Sequence, residues 1–327
     1  MSLLTTGQEK ESMEQLSGDR PAVLGIVGAT GTGKSELSVG LALHFGGWII
    51  SADSMQVYRG MDIGTAKLKP EQRKGVPHAL VDVISPRDQF SVAAYQALAV
   101  EAVQAALRSG HLPIVVGGTG LYVRALLDGY EFLAEKPDMA LRDRLRLLSE
   151  DELRSRVRAI DPVVETAIAL HDHRRLERVL EMAAQSDELP SWLKHRQRPV
   201  PWRVIRIGLR AERADLYRRL DARVDGMIAA GMEDEVRRLL AEGVQESDTS
   251  MQGIGYKELS AWLHGSIERE QAIELWKKRT RNYAKRQETW FRKERDVHWI
   301  DVTDSNMTQI LAQATAIVED ALREDVL

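Results

Sequence analysis

The chain has 327 residues and a formal net charge of −4, from 45 Lys plus Arg against 49 Asp plus Glu. With 43% hydrophobic and 29% charged residues it reads as an ordinary globular chain rather than a disordered one, long enough for one core domain with an insertion or a second small domain. Cysteine is absent, which excludes disulfides, thiolate-ligated zinc and thiol catalysis, and the mild acidity argues against a general nucleic-acid coat.

Residues 1–20 are polar and mixed in charge, without the apolar core of a signal peptide. No apolar run approaches the roughly 18 residues that span a bilayer. A flexible tail, a cytoplasmic location, no membrane partner and a monomer are expected. Ala22 to Val27 is short, apolar and β-branched, the pattern of a buried parallel strand. Ser35–Phe45 follows as a helix, Trp48–Ile50 as a second strand and Leu80–Ile84 as a third. Val92–Leu107 has helical spacing, and Leu112–Val116 is another apolar strand, with a helix over 120–128. Strands alternating with helices predict an α/β fold with a parallel sheet.

After Gly129 the texture changes. Residues 138–198 are rich in Arg, Leu and Glu and predict a helical insertion, with Pro190, Pro199 and Pro201 marking a hinge or linker at its end. Val204–Leu209 returns to strand. Helices are expected over 212–242, broken near Gly231, and over 268–293. A last strand at Val297–Asp301 and a helix over 308–324 complete the chain. The organisation is thus a tail (1–20), a core in two parts (21–130 and 201–327) and an insertion (131–200). From Lys277 to Arg295 nine basic residues stand against two acidic ones, Glu288 and Glu294, so a local basic surface is expected on an acidic chain.

Gly28-Ala29-Thr30-Gly31-Thr32-Gly33-Lys34-Ser35 matches G-x-x-x-x-G-K-[ST] between a predicted strand and a predicted helix. Glycines let backbone N–H groups turn around an anion, and the following helix N-terminus adds partial positive charge. Lys34 supplies a full charge, and the Ser35 hydroxyl can hold Mg²⁺. The core is therefore expected to be P-loop NTPase-like. Such a loop serves kinases, NTPases and transferases alike, so it does not name a reaction.

Asp53, just past the second strand, falls where ligands meet parallel sheets. There it can take a proton or help hold Mg²⁺ through water, or it can simply cap a helix. Thr119, after Gly117-Gly118 at another strand end, offers a hydroxyl at the same crevice or an N-cap for the helix over 120–128.

The ordered set of motifs resembles the tRNA dimethylallyltransferases, of bacterial type, over roughly residues 22–302. It comprises Gly28–Ser35, Asp53-Ser54-Met55-Gln56-Val57-Tyr58-Arg59, Met61–Lys67, Val76-Pro77-His78, Gly117–Tyr122, Asp172–Arg178, Gly253–Glu258 and Tyr283–Arg292. The resemblance implies transfer of a dimethylallyl group from dimethylallyl diphosphate to N6 of the adenosine at tRNA position 37, 3′ of the anticodon, in tRNAs reading UNN codons. It implies Mg²⁺, a phosphate loop (Gly28–Ser35) holding diphosphate with help from Arg223, and Asp53 and Thr119 at the reacting amine. It implies tRNA contacts at Asp53, Ser54, Met55, Gln56, Arg142, Arg174, Arg175, Leu176, Glu177, Arg178, Gly255, Tyr256, Lys285, Arg286 and Gln287, with the insertion clasping the anticodon stem-loop. Arg223 reads equally as a surface ion pair with a neighbouring acid. Arg174, Arg175 and Arg178 read also as a solvated face paired to Glu177 and Glu181.

The sequence departs from the family in three places. Ala29, Gly31 and Thr32 stand where the family often has Pro, Ala and Ser. His78 is followed by Ala79 where a second histidine is common. The Cys/His zinc finger of some eukaryotic relatives is absent. A prenyltransferase acting on free AMP, a small-molecule kinase and a non-catalytic RNA-binding module are the competing readings. The insertion and the basic stretch favour tRNA over a free nucleotide.

Overall fold

The structure is a computed structural model that describes residues 20–130, 139–185 and 198–323. The expected tail and Pro190 lie outside these residues, apart from Arg20. The chain divides into two compact units, one formed by residues up to Asp128 together with those from Val200, the other by Gly129–Pro199.

The first unit is built on six parallel strands: β1 (Ala22–Gly28), β2 (Gly47–Ser51), β3 (His78–Ala79), β4 (Leu112–Gly117), β5 (Arg203–Arg210) and β6 (Val297–Asp301). Their order is β3-β2-β4-β1-β5-β6. β1 lies between β4 and β5, pairing Leu24 with Ile114 and with Ile205. The strands read as continuous apolar runs because both faces are covered, and alternation along β1 assigns each side chain to a layer. Leu24 and Ile26 face one layer with Leu37 and Leu41 of α1 (Lys34–Phe45) and Ile310, Ala314 and Val318 of α13 (Met307–Arg323). Val23 and Val27 face the other, with Tyr95, Ala99 and Val103 of α3 (Val92–Arg108) and Val123 and Leu126 of α4 (Gly120–Leu127). Each such Leu or Val, fully buried, contributes roughly 1.5–3 kcal/mol against exposure.

A third core joins the loop after β2 to four helices, α9 (Arg213–Ala229), α10 (Met232–Ala241), α11 (Tyr256–Leu263) and α12 (Arg269–Phe291). Val57, Tyr58 and Met61 of that loop pack with Val224, Val236, Leu259 and Trp276. The break between α9 and α10 falls at Gly231, whose φ of 95° suits glycine.

Two expectations fail. Leu80–Ile84 is not a strand: pairing with β2 stops after Ala79, because Leu80 and Asp82 adopt φ of 61° and 59°, and only an isolated bridge between Tyr58 and Ile84 follows. The N–H groups of Asp82, Val83 and Ile84 instead donate to Gln56 and Val57, which fastens this segment to the loop after β2. Two helices were not foreseen, the single turn α2 (Pro70–Arg73) and α11. The Gly253-Ile254-Gly255 run hides the start of α11, which is secured by the Glu258 carboxylate accepting from the Gly255 N–H at 2.6 Å.

The second unit is all helix among its described residues: α5 (Met139–Arg146), α6 (Glu150–Ile160), α7 (Pro162–Ala167) and α8 (His173–Gln185). Its own core is Leu145, Leu153, Val157, Val164, Ile168, Leu176, Val179 and Leu180. Ser149 and Glu152 form a capping box on α6, and the Asp161 carboxylate caps α7.

Candidate active site

The loops leaving the carboxyl ends of β1, β2 and β4 meet α9 and α12 around a cavity of about 700 Å³. Parallel strands deliver their following residues to one edge, so segments far apart in sequence converge there.

The phosphate loop is shaped by three glycines with φ of 143° (Gly28), 83° (Gly31) and 89° (Gly33). A Cβ on Gly28 would stand 2.4 Å from the Leu209 carbonyl oxygen. The Thr32 hydroxyl and the Lys34 ammonium both donate to the Ala29 carbonyl, at 2.8 and 2.7 Å. The unusual Ala29 and Thr32 are both buried. Burial, and then the Arg223 cation, lower the Lys34 pKa to about 7, with Asp53 acting in the opposite direction. Burial also lowers the Arg223 pKa, again opposed by Asp53. Two enclosed cations are thus balanced by one carboxylate, and an anion bound on the loop would stabilise both. The alternative of a surface ion pair for Arg223 does not describe it: Asp221 pairs with Arg281 at 2.5 Å and Asp225 with Lys277 at 2.7 Å.

Asp53 lines the cavity, and its Oδ1 accepts from the Met55 N–H at 2.8 Å in a short turn rather than at a helix start. Thr119 occupies the N-cap of α4 but makes no side-chain cap bond. Its hydroxyl accepts from the Ser54 N–H at 3.1 Å and donates to the Ser54 hydroxyl at 3.3 Å, which ties the ends of β2 and β4 together. A Cβ on Gly117 would lie 2.1 Å from the Ala52 carbonyl, so this approach of the two strand ends requires glycine.

Tyr283 of α12 also lines the cavity, and it was not foreseen as a site residue. Burial, and then the Asp53 charge, push its hydroxyl up to about 12, while hydrogen bonding to Thr119 and Gln287 acts the other way. Ser35, at the first turn of α1, lines the cavity beside Lys34. Among the described residues no group of three or more His, Asp or Glu stands ready to hold a metal ion.

The family model described as IPP transferase matches residues 56–294, and that described as isopentenyl transferase matches residues 21–86. The chain is 44% identical over 313 residues to the tRNA dimethylallyltransferase of Moorella thermoacetica, covering 92% of this chain and 95% of that one. It is 43% identical over 289 residues to that of Desulforudis audaxviator, covering 87% and 93%.

The chain belongs to the tRNA dimethylallyltransferase family.

Solved structures agree. The tRNA isopentenylpyrophosphate transferase of Bacillus halodurans superposes with a TM-score of 0.73 at 38% identity, covering 94% of this chain and 98% of its own. A eukaryotic dimethylallyltransferase acting on tRNA gives a TM-score of 0.80 at 31% identity, covering 93% and 80%. These likenesses place the chain among enzymes on a P-loop NTPase-like fold with a parallel sheet. Among the described residues no helix is long and apolar enough to cross a membrane.

The remaining family-implied residues fall into three groups. Ser54, Met55, Gln56, Arg286 and Gln287 line the cavity, and Lys285 is exposed beside it on α12. Three others are less available than the sequence suggests. Tyr256 is 1% exposed, with its hydroxyl donating to Glu235 at 2.6 Å. Gly255 has φ of 97° and sits against Trp276, where a Cβ would come within 2.6 Å. The Leu176 side chain is wholly buried in the core of the second unit. Tyr256 and Leu176 therefore offer no side chain to an RNA surface. Within the second unit, Arg142 and Arg178 converge on the buried Glu181 carboxylate, Glu177 is half-buried, and Arg174 and Arg175 are exposed. The basic run on α12 is narrower than its composition implies, since Lys277, Arg279 and Arg281 pair with Asp225, Glu258 and Asp221.

Proposed function

We propose that the chain transfers the dimethylallyl group of dimethylallyl diphosphate to N6 of the adenosine at tRNA position 37, in tRNAs reading UNN codons, and releases diphosphate. The supporting observation is the meeting, at one sheet edge, of a phosphate loop carrying Lys34 with the enclosed Arg223 of α9, the Asp53 carboxylate and the Thr119 hydroxyl. The exocyclic amine of adenine is a weak nucleophile, because its lone pair is delocalised into the ring. As N6 bonds to the allylic carbon, the carbon–oxygen bond to diphosphate breaks and its electron pair leaves with the diphosphate. The N6 proton passes to Asp53. General-base help of this kind is worth about 10²–10⁴-fold.

Lys34, Arg223 and the loop amides stabilise the charge on the leaving diphosphate. Met55, Val224, Met227, Ile254 and Trp276 give the cavity an apolar wall that keeps water from the electron-poor allylic carbon. One hydroxyl facing the cavity fits a Mg²⁺ ion whose other ligands are substrate oxygens and water, and Ser35 would hold it. When bound, Mg²⁺ neutralises diphosphate charge. The exposed Lys285 and Arg286, and separately Arg174 and Arg175, are the groups for tRNA phosphates. The enzyme works as a cytoplasmic monomer on the anticodon stem-loop, unstacking the target base to reach it.

Donor binding tests the diphosphate half of this reading. Lys34→Ala and Arg223→Ala should each weaken calorimetric binding of dimethylallyl diphosphate by about 1.5–3 kcal/mol. Donor affinity unchanged in both variants would remove the diphosphate from this loop.

A further inference from the structure

Gln287 projects from α12 between the phosphate loop and the end of β4. It is 5% exposed, and both ends of its amide are engaged. Its Oε1 accepts the Thr30 N–H at 2.8 Å, and its Nε2 donates to the Gly118 carbonyl at 2.8 Å. A Cβ on Gly118 would stand 2.1 Å from that Nε2, so a side chain at position 118 would push the Gln287 amide aside. Thr30 is the third residue of the phosphate loop. A phosphate loop works because its amides are aimed before the anion arrives, and an anchored first turn aims the amides that follow. Gln287 is the group that anchors it, and it reaches there from a helix whose neighbouring Lys285 and Arg286 are exposed.

We propose that Gln287 is a positioning residue for the diphosphate, clamping the first turn of the phosphate loop to β4, and not a tRNA contact. The proposal rests on the reading of this cavity as a diphosphate site. Gln287→Met keeps the side-chain volume and removes both hydrogen bonds. It should raise the KM for dimethylallyl diphosphate, and the Kd for Mg²⁺–diphosphate measured directly, on the order of tenfold. The KM for tRNA and the salt dependence of tRNA binding should hold.

Gly118→Ala reaches the same clamp from the other side, with Gln287 intact. Its Cβ displaces the amide, so it should give a similar loss. The double variant should lose about as much as either single one, rather than about a hundredfold, because the two changes break one interaction. A raised tRNA KM with unchanged donor KM and diphosphate Kd would make Gln287 a tRNA contact and overturn the proposal. Equal losses for both substrates with a lowered melting temperature would make it structural only, and would equally overturn it. Should the wild-type protein bind Mg²⁺–diphosphate yet prenylate no tRNA, the reading of the reaction would fail while the diphosphate Kd of the two variants still decided the role of Gln287.

Discussion

Removing Glu235 should loosen the segment 62–67, of which residues 64–67 line the candidate active-site cavity. Glu235 is 7% exposed and lies on α10, far in sequence from that segment. Its Oε2 accepts from the N–H groups of Asp62 and Ile63 at 3.0 and 2.9 Å. Its Oε1 accepts from the Gly64 N–H at 3.2 Å and from the Tyr256 hydroxyl at 2.6 Å. Glu235→Leu strands three backbone donors and one hydroxyl. Each unsatisfied donor costs about 1–3 kcal/mol, and neighbouring losses are not additive, so a total of about 4 kcal/mol is expected. For a body of this size that lowers the melting temperature by about 10 °C. Glu235→Gln retains an acceptor for Asp62 and Ile63, and the Tyr256 hydroxyl can rotate to accept from its amide, so only the Gly64 bond is lost, at about 1 kcal/mol. Thermal unfolding of the two variants measures this ratio. Gln56 donates to the Thr65 carbonyl at 3.2 Å, so Glu235→Leu should also raise the substrate KM. A Glu235→Leu protein as stable as wild type would refute the view that this carboxylate holds the loop.

Asp53→Ala should lower kcat by about 10²–10⁴-fold while leaving tRNA affinity nearly intact, and near-normal turnover would remove Asp53 from the base role. Lys285→Ala and Arg286→Ala should each weaken tRNA binding and flatten its dependence on salt, and an unchanged slope would place that surface away from phosphate. In the second unit, the backbone N–H of His171 first, and then Arg154, hold the Glu150 carboxyl down to about 2, against an ordinary value of 4.5. A depressed carboxyl stabilises the fold above its unfolded pKa and loses that stabilisation as pH falls through the folded one. Glu150→Gln should therefore flatten the loss of stability between about pH 4.5 and about 2 in acid-unfolding curves; identical curves would show that the carboxylate contributes nothing.

Much of this architecture is legible in the sequence. The strands β1, β2, β4 and β5 announce themselves as apolar runs because a parallel sheet buries both faces, and Gly28–Ser35 carries its geometry in its glycines. Leu80–Ile84 misled for the opposite reason. Its composition suits a strand, but its N–H groups are taken by Gln56 and Val57, and hydropathy does not register such local competition. The candidate site divides in the same way. Asp53 and Thr119 could be placed at strand ends, where parallel sheets bring ligands. Whether Thr119 caps a helix or reaches Ser54 depends on a contact across 65 residues. Tyr283 and Gln287 sit within a basic helical run that reads as an RNA-facing surface. That their side chains turn inward follows from the placement of α12 against β4 and the phosphate loop. Tyr256 and Leu176 show the same limit in reverse, since a motif match carries no information on which side of its helix is buried.

The most direct test of the proposed reaction is an incubation with Mg²⁺, dimethylallyl diphosphate and an unmodified tRNA reading a UNN codon, beside the same tRNA with guanosine at position 37, beside AMP and beside ATP alone, followed by nucleoside mass analysis. Prenylated adenosine from the first tRNA alone is the predicted result. Product on AMP alone, or ATP turnover without any prenyl product, would contradict the account.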